Sequence, residues 1–272
     1  MDQSPQKLIR SAGFWRALIV GMNALITIGM MRQPGFTGLG YLSSLGLGFL
    51  LLVAAPLYGL ALPVSGSLKK LWAQVWRGVL WLVSPLILWG LWQATWFPLC
   101  APMRALLFLI LGPCFGAAFG IVLGTGIRKS LGKRSPWWGL LIYLGLLFAS
   151  FIWHVWRIYT EPSVFFYHPI VGYFAGPIYD TTAEVTSAYL LHRIWWLGAF
   201  PLFLAPWLVE KRRWRLVGLV WLLVGFSLKS TLGIDPGRSA IMNQLSQSQA
   251  GQYVVVHADP EGYTEEDLRQ LV

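Results

Sequence analysis

Ala105-Leu-Leu-Phe-Leu-Ile-Leu-Gly112-Pro-Cys-Phe-Gly116-Ala-Ala-Phe-Gly120-Ile-Val-Leu-Gly124-Thr-Gly-Ile127 decides the fold class. The stretch carries no charged side chain and exceeds the roughly 20 residues that a helix needs to cross the hydrocarbon core of a bilayer. Gly112, Gly116, Gly120 and Gly124 recur every fourth residue, with Ala117 and Ala118 beside them. Small residues at that spacing share one side of a helix and let two backbones approach closely in lipid, so they predict a helix-packing face for partner membrane helices. Pro113 predicts a local kink, tolerable where neighbouring helices satisfy the freed carbonyls. A pore or substrate groove is the second reading of the same face.

Six further segments reach spanning length: Phe14 to Met31, Gly40 to Leu62, Val79 to Phe97, Trp138 to Trp156, His192 to Val209 and Leu216 to Leu232. The last two are the shortest. Over its 272 residues the chain is 56% apolar and only 12% charged, and apart from Asp2 it has no acidic residue before Glu161. One water-soluble core cannot hide that much apolar surface, which needs lipid. The predicted fold is therefore all-α, a polytopic transmembrane helical bundle of about seven spans over residues 1–232. No small-residue cleavage site follows the first segment, which reads as a retained span rather than a signal peptide.

Positive charge alternates between the connections. Lys7, Arg10, Lys69, Lys70, Arg77, Arg128, Lys129, Lys133, Arg134, Lys211, Arg212, Arg213 and Arg215 fall on one side, and only Arg32, Arg104, Arg157 and Arg193 on the other. Basic connections stay cytoplasmic, so the amino terminus is expected inside and, after seven spans, the carboxyl terminus outside. The net charge of +10 does not indicate nucleic acid, because the basic residues sit in short clusters between apolar runs. Trp72, Trp76, Trp137, Trp138 and Trp214 are expected at the inner headgroup level, and Trp96, Trp153, Trp156, Trp195 and Trp196 at the outer one. Trp81, Trp89, Trp92, Trp207 and Trp221 read as deeper packing bulk.

Beyond the last span, residues 233–252 are rich in Gly, Ser, Gln and Asn and read as a linker. Residues 253–272 then read as the start of an extracytoplasmic α/β module. Tyr253 to His257 is a strand pattern, and Thr264 with Asp267 resembles a helix cap. A lone strand leaves unpaired edges, so the module is expected to continue past Val272.

The polar chemistry gathers in the outer connection, residues 157–191, which is dense in aromatics, Gly and Pro: Tyr167, His168, Pro169, Gly172, Tyr173, Phe174, Gly176, Pro177, Tyr179 and Asp180. A segment so apolar is expected to fold back as an ordered cap over the outer ends of spans five and six, with Asp180 and Thr181 starting the helix that enters span six and Glu184 completing its capping box. His168 and Asp180 are the candidate catalytic residues, with His154, Glu184 and His192 near them in the sequence frame. Each has a plainer reading as a turn, cap or interfacial residue. No HExxH, GxSxG, P-loop or CxxC motif occurs, and no cofactor or metal is predicted. A coupled transporter wants a carboxylate at mid-depth, and no span holds one there.

The run from His168 to Asp180, with Gln252 to His257 and Tyr263 to Leu268 after it, resembles a group of bacterial multi-span membrane proteins. In that group a large extracytoplasmic domain similar to zinc-metallopeptidase-like modules follows the spans. The resemblance covers the loop and about the last twenty residues, and implies residence in the bacterial cytoplasmic (inner) membrane. The zinc-binding motif that such a module needs is absent from this chain. Two functions stand open: a membrane anchor or scaffold presenting a peptidase-like C-terminal module, and a small-molecule or lipid transporter or channel subunit. A third, an intramembrane enzyme using His168 and Asp180, lacks a motif.

Overall fold

The computed structural model describes residues 5–33, 36, 39–63, 67–96, 101–132, 136–160, 166–174, 185–205, 212–229, 231–232, 234, 247–250 and 255–258. Helices dominate: α1 (Pro5–Met31), α2 (Tyr41–Leu60), α3 (Leu68–Ala94), α4 (Pro102–Leu109), a π-helical turn (Ile110–Cys114), α5 (Phe115–Leu131) and α6 (Pro136–Thr160). After a β-hairpin, β1 (Phe166–His168) with β2 (Gly172–Phe174), come α7 (Ser187–Leu197), α8 (Ala199–Phe203) and α9 (Arg212–Leu228). Among the described residues five helices are long and apolar enough to cross a membrane: Ala12–Met31, Tyr41–Leu60, Leu68–Ala94, Pro102–Leu131 and Trp137–Trp156. That is the pattern of an integral membrane protein. The stretches expected as spans six and seven are shorter, since α7 and α8 meet at Gly198 and α9 has 17 residues.

Pro113 explains the π turn. A proline inside a helix lacks the amide hydrogen and its ring collides with the carbonyl four residues back, here Leu109. Widening the helix from Ile110 to Cys114 relieves that clash. The chain thus runs on from Pro102 to Leu131 as one rod.

Helix α2 packs chiefly on α5. A Cβ at Gly124 would collide with the Pro56 carbonyl oxygen, one at Gly59 with the Ile121 carbonyl oxygen, and one at Gly120 would lie 2.8 Å from Ala55 Cβ. Glycine on both helices therefore lets the two backbones touch. Gly112 is looser, with Tyr189 Oη 3.7 Å from a Cβ placed there. Two polar groups tie helices together elsewhere in the bundle. Asn23 of α1 donates from Nδ2 to the Leu82 carbonyl of α3 at 2.8 Å, and the Tyr143 hydroxyl of α6 donates to the Leu52 carbonyl of α2.

The tryptophan frame needs correction at several positions. Trp81 and Trp92, expected as packing bulk, stand 60% and 61% exposed on α3, where an apolar ring suits lipid. Trp221 is exposed as well. Trp195 and Trp196 are half-buried, and their indoles donate to the Leu222 carbonyl and to His192 respectively. The expected linker also contains a strand: β3 (Gln247–Ala250) pairs antiparallel with β4 (Val255–Ala258). The strand anticipated at Tyr253 to His257 is therefore not alone.

Candidate functional site

The hairpin of residues 166–174 does not lie over the ends of the helices, the place expected of it, but inserts between them. Its three-residue turn, Pro169 to Val171, joins β1 and β2 in the register Phe166 to Phe174, Tyr167 to Tyr173 and His168 to Gly172. The tip abuts α5 and α2 deep in the bundle. A Cβ at Gly116 would collide with the Ile170 carbonyl oxygen, and one at Gly48 with the Val171 carbonyl oxygen. Gly48 lies seven residues into α2 and Gly116 fourteen residues past Pro102, about 10 and 20 Å along at the helical rise. Ile170 and Val171 are buried.

Non-helical backbone is tolerated at such a depth only if its polar groups find partners within the protein. Here they do. His168 Nδ1 accepts from the Ile170 and Val171 amides at 3.1 and 3.2 Å, so the ring proton sits on Nε2, 3.4 Å from Ser150 Oγ. Arg193 Nη1 donates to the Pro169 carbonyl at 2.6 Å and the His168 carbonyl at 3.2 Å, while Nη2 donates to the Tyr189 hydroxyl at 3.0 Å. The Ile170 and Val171 carbonyl oxygens lie against the Gly116 and Gly48 backbones. Gly172 completes the turn with φ +107°, a conformation that side-chain-bearing residues resist. A Cβ there would also press within 3.1 Å of both Arg193 Nη2 and Tyr189 Oη.

Arg193 is 2% exposed and stacks its guanidinium over Phe115 at 4.7 Å and Tyr189 at 5.0 Å. All its hydrogen-bond acceptors are neutral oxygens, and its Nε has no partner. Tyr167, Tyr173, Tyr189 and His192 form a ring cluster beside it, with centroids 5.2 to 5.8 Å apart. Burial pushes the Tyr167 phenol up to about 12, leaving it a neutral group 3.1 Å from Thr186 Oγ1. His168 is held at about 3, well below its ordinary 6.5, by burial first and then by the charges of His154 and Arg193.

Between α6, the hairpin, α7 and α9 lies a chamber of about 470 Å³. Ser150, Trp153 and His154 line it from α6, Tyr167 and Pro169 from the hairpin, and His192, Trp195 and Trp196 from α7. Leu222, Leu223 and Phe226 line it from α9, with Lys229 and Ile234 beyond, and it stays open on one side. The walls are mostly apolar with a few polar groups, which is the usual make-up of a small-molecule pocket.

The His154 and His168 rings are 5.5 Å apart, and His192 packs on Tyr167. They do not form a zinc site. His154 Nδ1 is bonded to the Ser150 carbonyl at 2.7 Å, His168 Nδ1 to two amides and His192 Nε2 to Trp196. No group of three metal-ligating side chains converges among the described residues. His168 is the turn residue of its plainer reading. Asp180, its proposed catalytic partner, lies outside the described residues, as do Gly176, Pro177, Tyr179, Thr181 and Glu184. The helix expected to start at Asp180 and Thr181 starts instead at Ser187, capped by Thr186, whose hydroxyl accepts from the Tyr189 amide at 3.2 Å.

Arg193 is the residue that sequence reasoning misplaced, counting it only as a sparse outer charge. The signal available was its position inside an apolar helical stretch, where an ionisable group is costly and marks a site. Compared with known proteins, the chain matches no family model, none of the curated proteins and none of the solved structures.

Proposed function

We propose that the chain is a membrane-embedded binding domain for an amphipathic small molecule, as in a lipid or small-molecule transporter, with the chamber of α6, the hairpin, α7 and α9 as its binding site. The chamber itself carries this reading. Three tryptophans, Phe226 and two leucines line a volume of about 470 Å³, which falls in the range of ligand pockets. A photoactivatable fatty-acyl probe in nanodiscs is expected to label peptides bearing Trp153, Trp195 or Phe226. Leu223→Trp should cut that labelling severalfold, because Leu223 is 57% exposed and its replacement can fill the chamber without displacing core. Labelling spread evenly over the outer helix faces and indifferent to Leu223→Trp would sink the reading.

A second reading, an anchor or scaffold presenting an extracytoplasmic peptidase-like module, is favoured by the paired strands β3 and β4 that follow the last helix. Both readings place the chain in a bacterial cytoplasmic membrane with seven spans, the amino terminus inside and the carboxyl terminus outside. The charge alternation supports that orientation. A reporter active only outside the cytoplasm should work when fused after Gly251 and stay silent after Arg134. The opposite pattern would invert the topology.

A further inference from the structure

Two arginines close on one tyrosine at the end of the bundle where α1 and α3 begin and α2 ends. Tyr58 lies two residues before the end of α2, and its ring rests on the backbone of α3 at Gly78, where a Cβ would come 2.6 Å from Tyr58 Cε1. Arg16 of α1 sets its guanidinium against the Tyr58 hydroxyl, and the charge of Arg77, next to Gly78, reaches the same oxygen. Arg16 Nε donates to the Ala12 carbonyl at 3.2 Å. That bond bends the guanidinium back towards the amino-terminal end of α1, the headgroup end of that helix, and leaves the terminal nitrogens for other partners.

No carboxylate of the surrounding helices neutralises this pair. Residues 3–160, which hold α1 to α6, contain no acidic side chain at all. Two like charges brought to one hydroxyl repel, and an anion between them turns the repulsion into attraction. Guanidinium forks match the oxygens of a phosphate, and a tyrosine hydroxyl that accepts from one arginine keeps its own proton to donate. The residues beyond Arg77 say which phosphate. Leu80 and Trp81, three and four positions on, continue the same face of α3 and are exposed. A soluble anion gains nothing from that apolar strip, whereas a phospholipid lays an acyl chain on it. Basic pockets between membrane helices take such headgroups. We propose that Arg16, Arg77 and Tyr58 hold the phosphate of an anionic phospholipid whose chain lies along Leu80 and Trp81. The site shares no residue with the chamber of α6, the hairpin, α7 and α9, and stands or falls apart from it.

The test titrates the full chain in a neutral detergent with phosphatidylglycerol, phosphatidylcholine and inorganic phosphate, and counts bound lipid by native mass spectrometry. The unsubstituted protein is expected to hold phosphatidylglycerol about tenfold more tightly than phosphatidylcholine, whose choline brings a further cation to the arginines. An excess of inorganic phosphate should not displace it. Arg77→Gln, at an exposed position, and Arg16→Gln should each cut the preference severalfold, and Tyr58→Phe, which keeps the ring on Gly78, should cut it less. Lys129→Gln removes one positive charge near the end of α5 and should leave the preference whole. Equal retention of the two lipids by the unsubstituted protein would overturn the proposal without recourse to any variant. Displacement by inorganic phosphate would make the ligand a soluble anion and overturn the lipid. A preference that survives both arginine substitutions, or that falls as far with Lys129→Gln, would reduce it to a general response to basic charge and overturn the site.

Discussion

Gly116→Ala is expected to destabilise the protein severely, although it adds a single methyl group. The position faces the Ile170 carbonyl oxygen at the hairpin tip, and that oxygen belongs to backbone already held from two sides, by His168 Nδ1 and Arg193. Neither partner can step aside without breaking a buried hydrogen bond. Overpacking against side chains costs about 1–3 kcal/mol, and a backbone obstacle that cannot rotate away puts this change at or above the top of that range. Gly124→Ala, against the Pro56 carbonyl oxygen, should behave similarly by prising α2 from α5. The control is Gly145→Ala on α6, where nothing lies within 4 Å. There the same change should be neutral or should stabilise by about 0.5–1 kcal/mol through helix propensity. Leu107→Ala, at a position 39% exposed, should also be mild. Thermal unfolding in detergent ranks all four, and a Gly116→Ala protein as stable as Gly145→Ala would refute the inserted tip.

Arg193→Met should release the hairpin. Methionine keeps the aliphatic stem but deprives the His168 and Pro169 carbonyls of their donor, and a buried acceptor left unpaired costs about 1–3 kcal/mol. Two such acceptors put the loss on the order of 3 kcal/mol, less whatever is regained by no longer burying a charge. Arg193→Lys should not rescue it, because an ammonium cannot reproduce the planar fork that reaches two carbonyls and a phenol together. Hydrogen exchange at the Ile170 and Val171 amides gives the readout. Their protection should fall in both variants, and unchanged protection would mean that the turn is held by something else.

His168 adds a dependence on pH with a definite sign. Its pKa is lowered on folding, so the unfolded chain binds the extra proton first. The stability that neutral His168 confers is complete above its ordinary 6.5 and drains away as pH falls from there towards about 3, at no more than about 1.4 kcal/mol per pH unit. Acidification should therefore loosen the same two amides, and His168→Asn should flatten that dependence.

The helices were legible because their signal is local: apolar runs of bilayer length and the four-residue spacing from Gly112 to Gly124. What each glycine touches was not. The ladder divides its work, with Gly116 receiving the hairpin and Gly120 and Gly124 receiving α2, and sequence spacing says only that small residues are needed. The conformationally special residues of the segment were visible in the sequence, but the destination of residues 166–174 was misjudged, since an aromatic loop can cover a bundle or enter it. Entry depends on Arg193 and His168 together satisfying the turn, a pairing across 25 residues that no local pattern encodes. Asn23, which joins α1 to α3, was silent for the same reason.

The inserted tip also constrains the order in which the molecule can be assembled. Gly48 and Val171 are neighbours in space and 123 residues apart in the chain, so the groove between α2 and α5 is synthesised and released well before the segment that fills it. Until residues 166–174 arrive, the two small-residue faces must either stay apart at that level or close and reopen. Contacts of such separation form late and slowly. The hairpin is thus a keystone set after the arch: a chain interrupted between α6 and β1 would hold its five long helices and still lack the wedge that fixes their spacing.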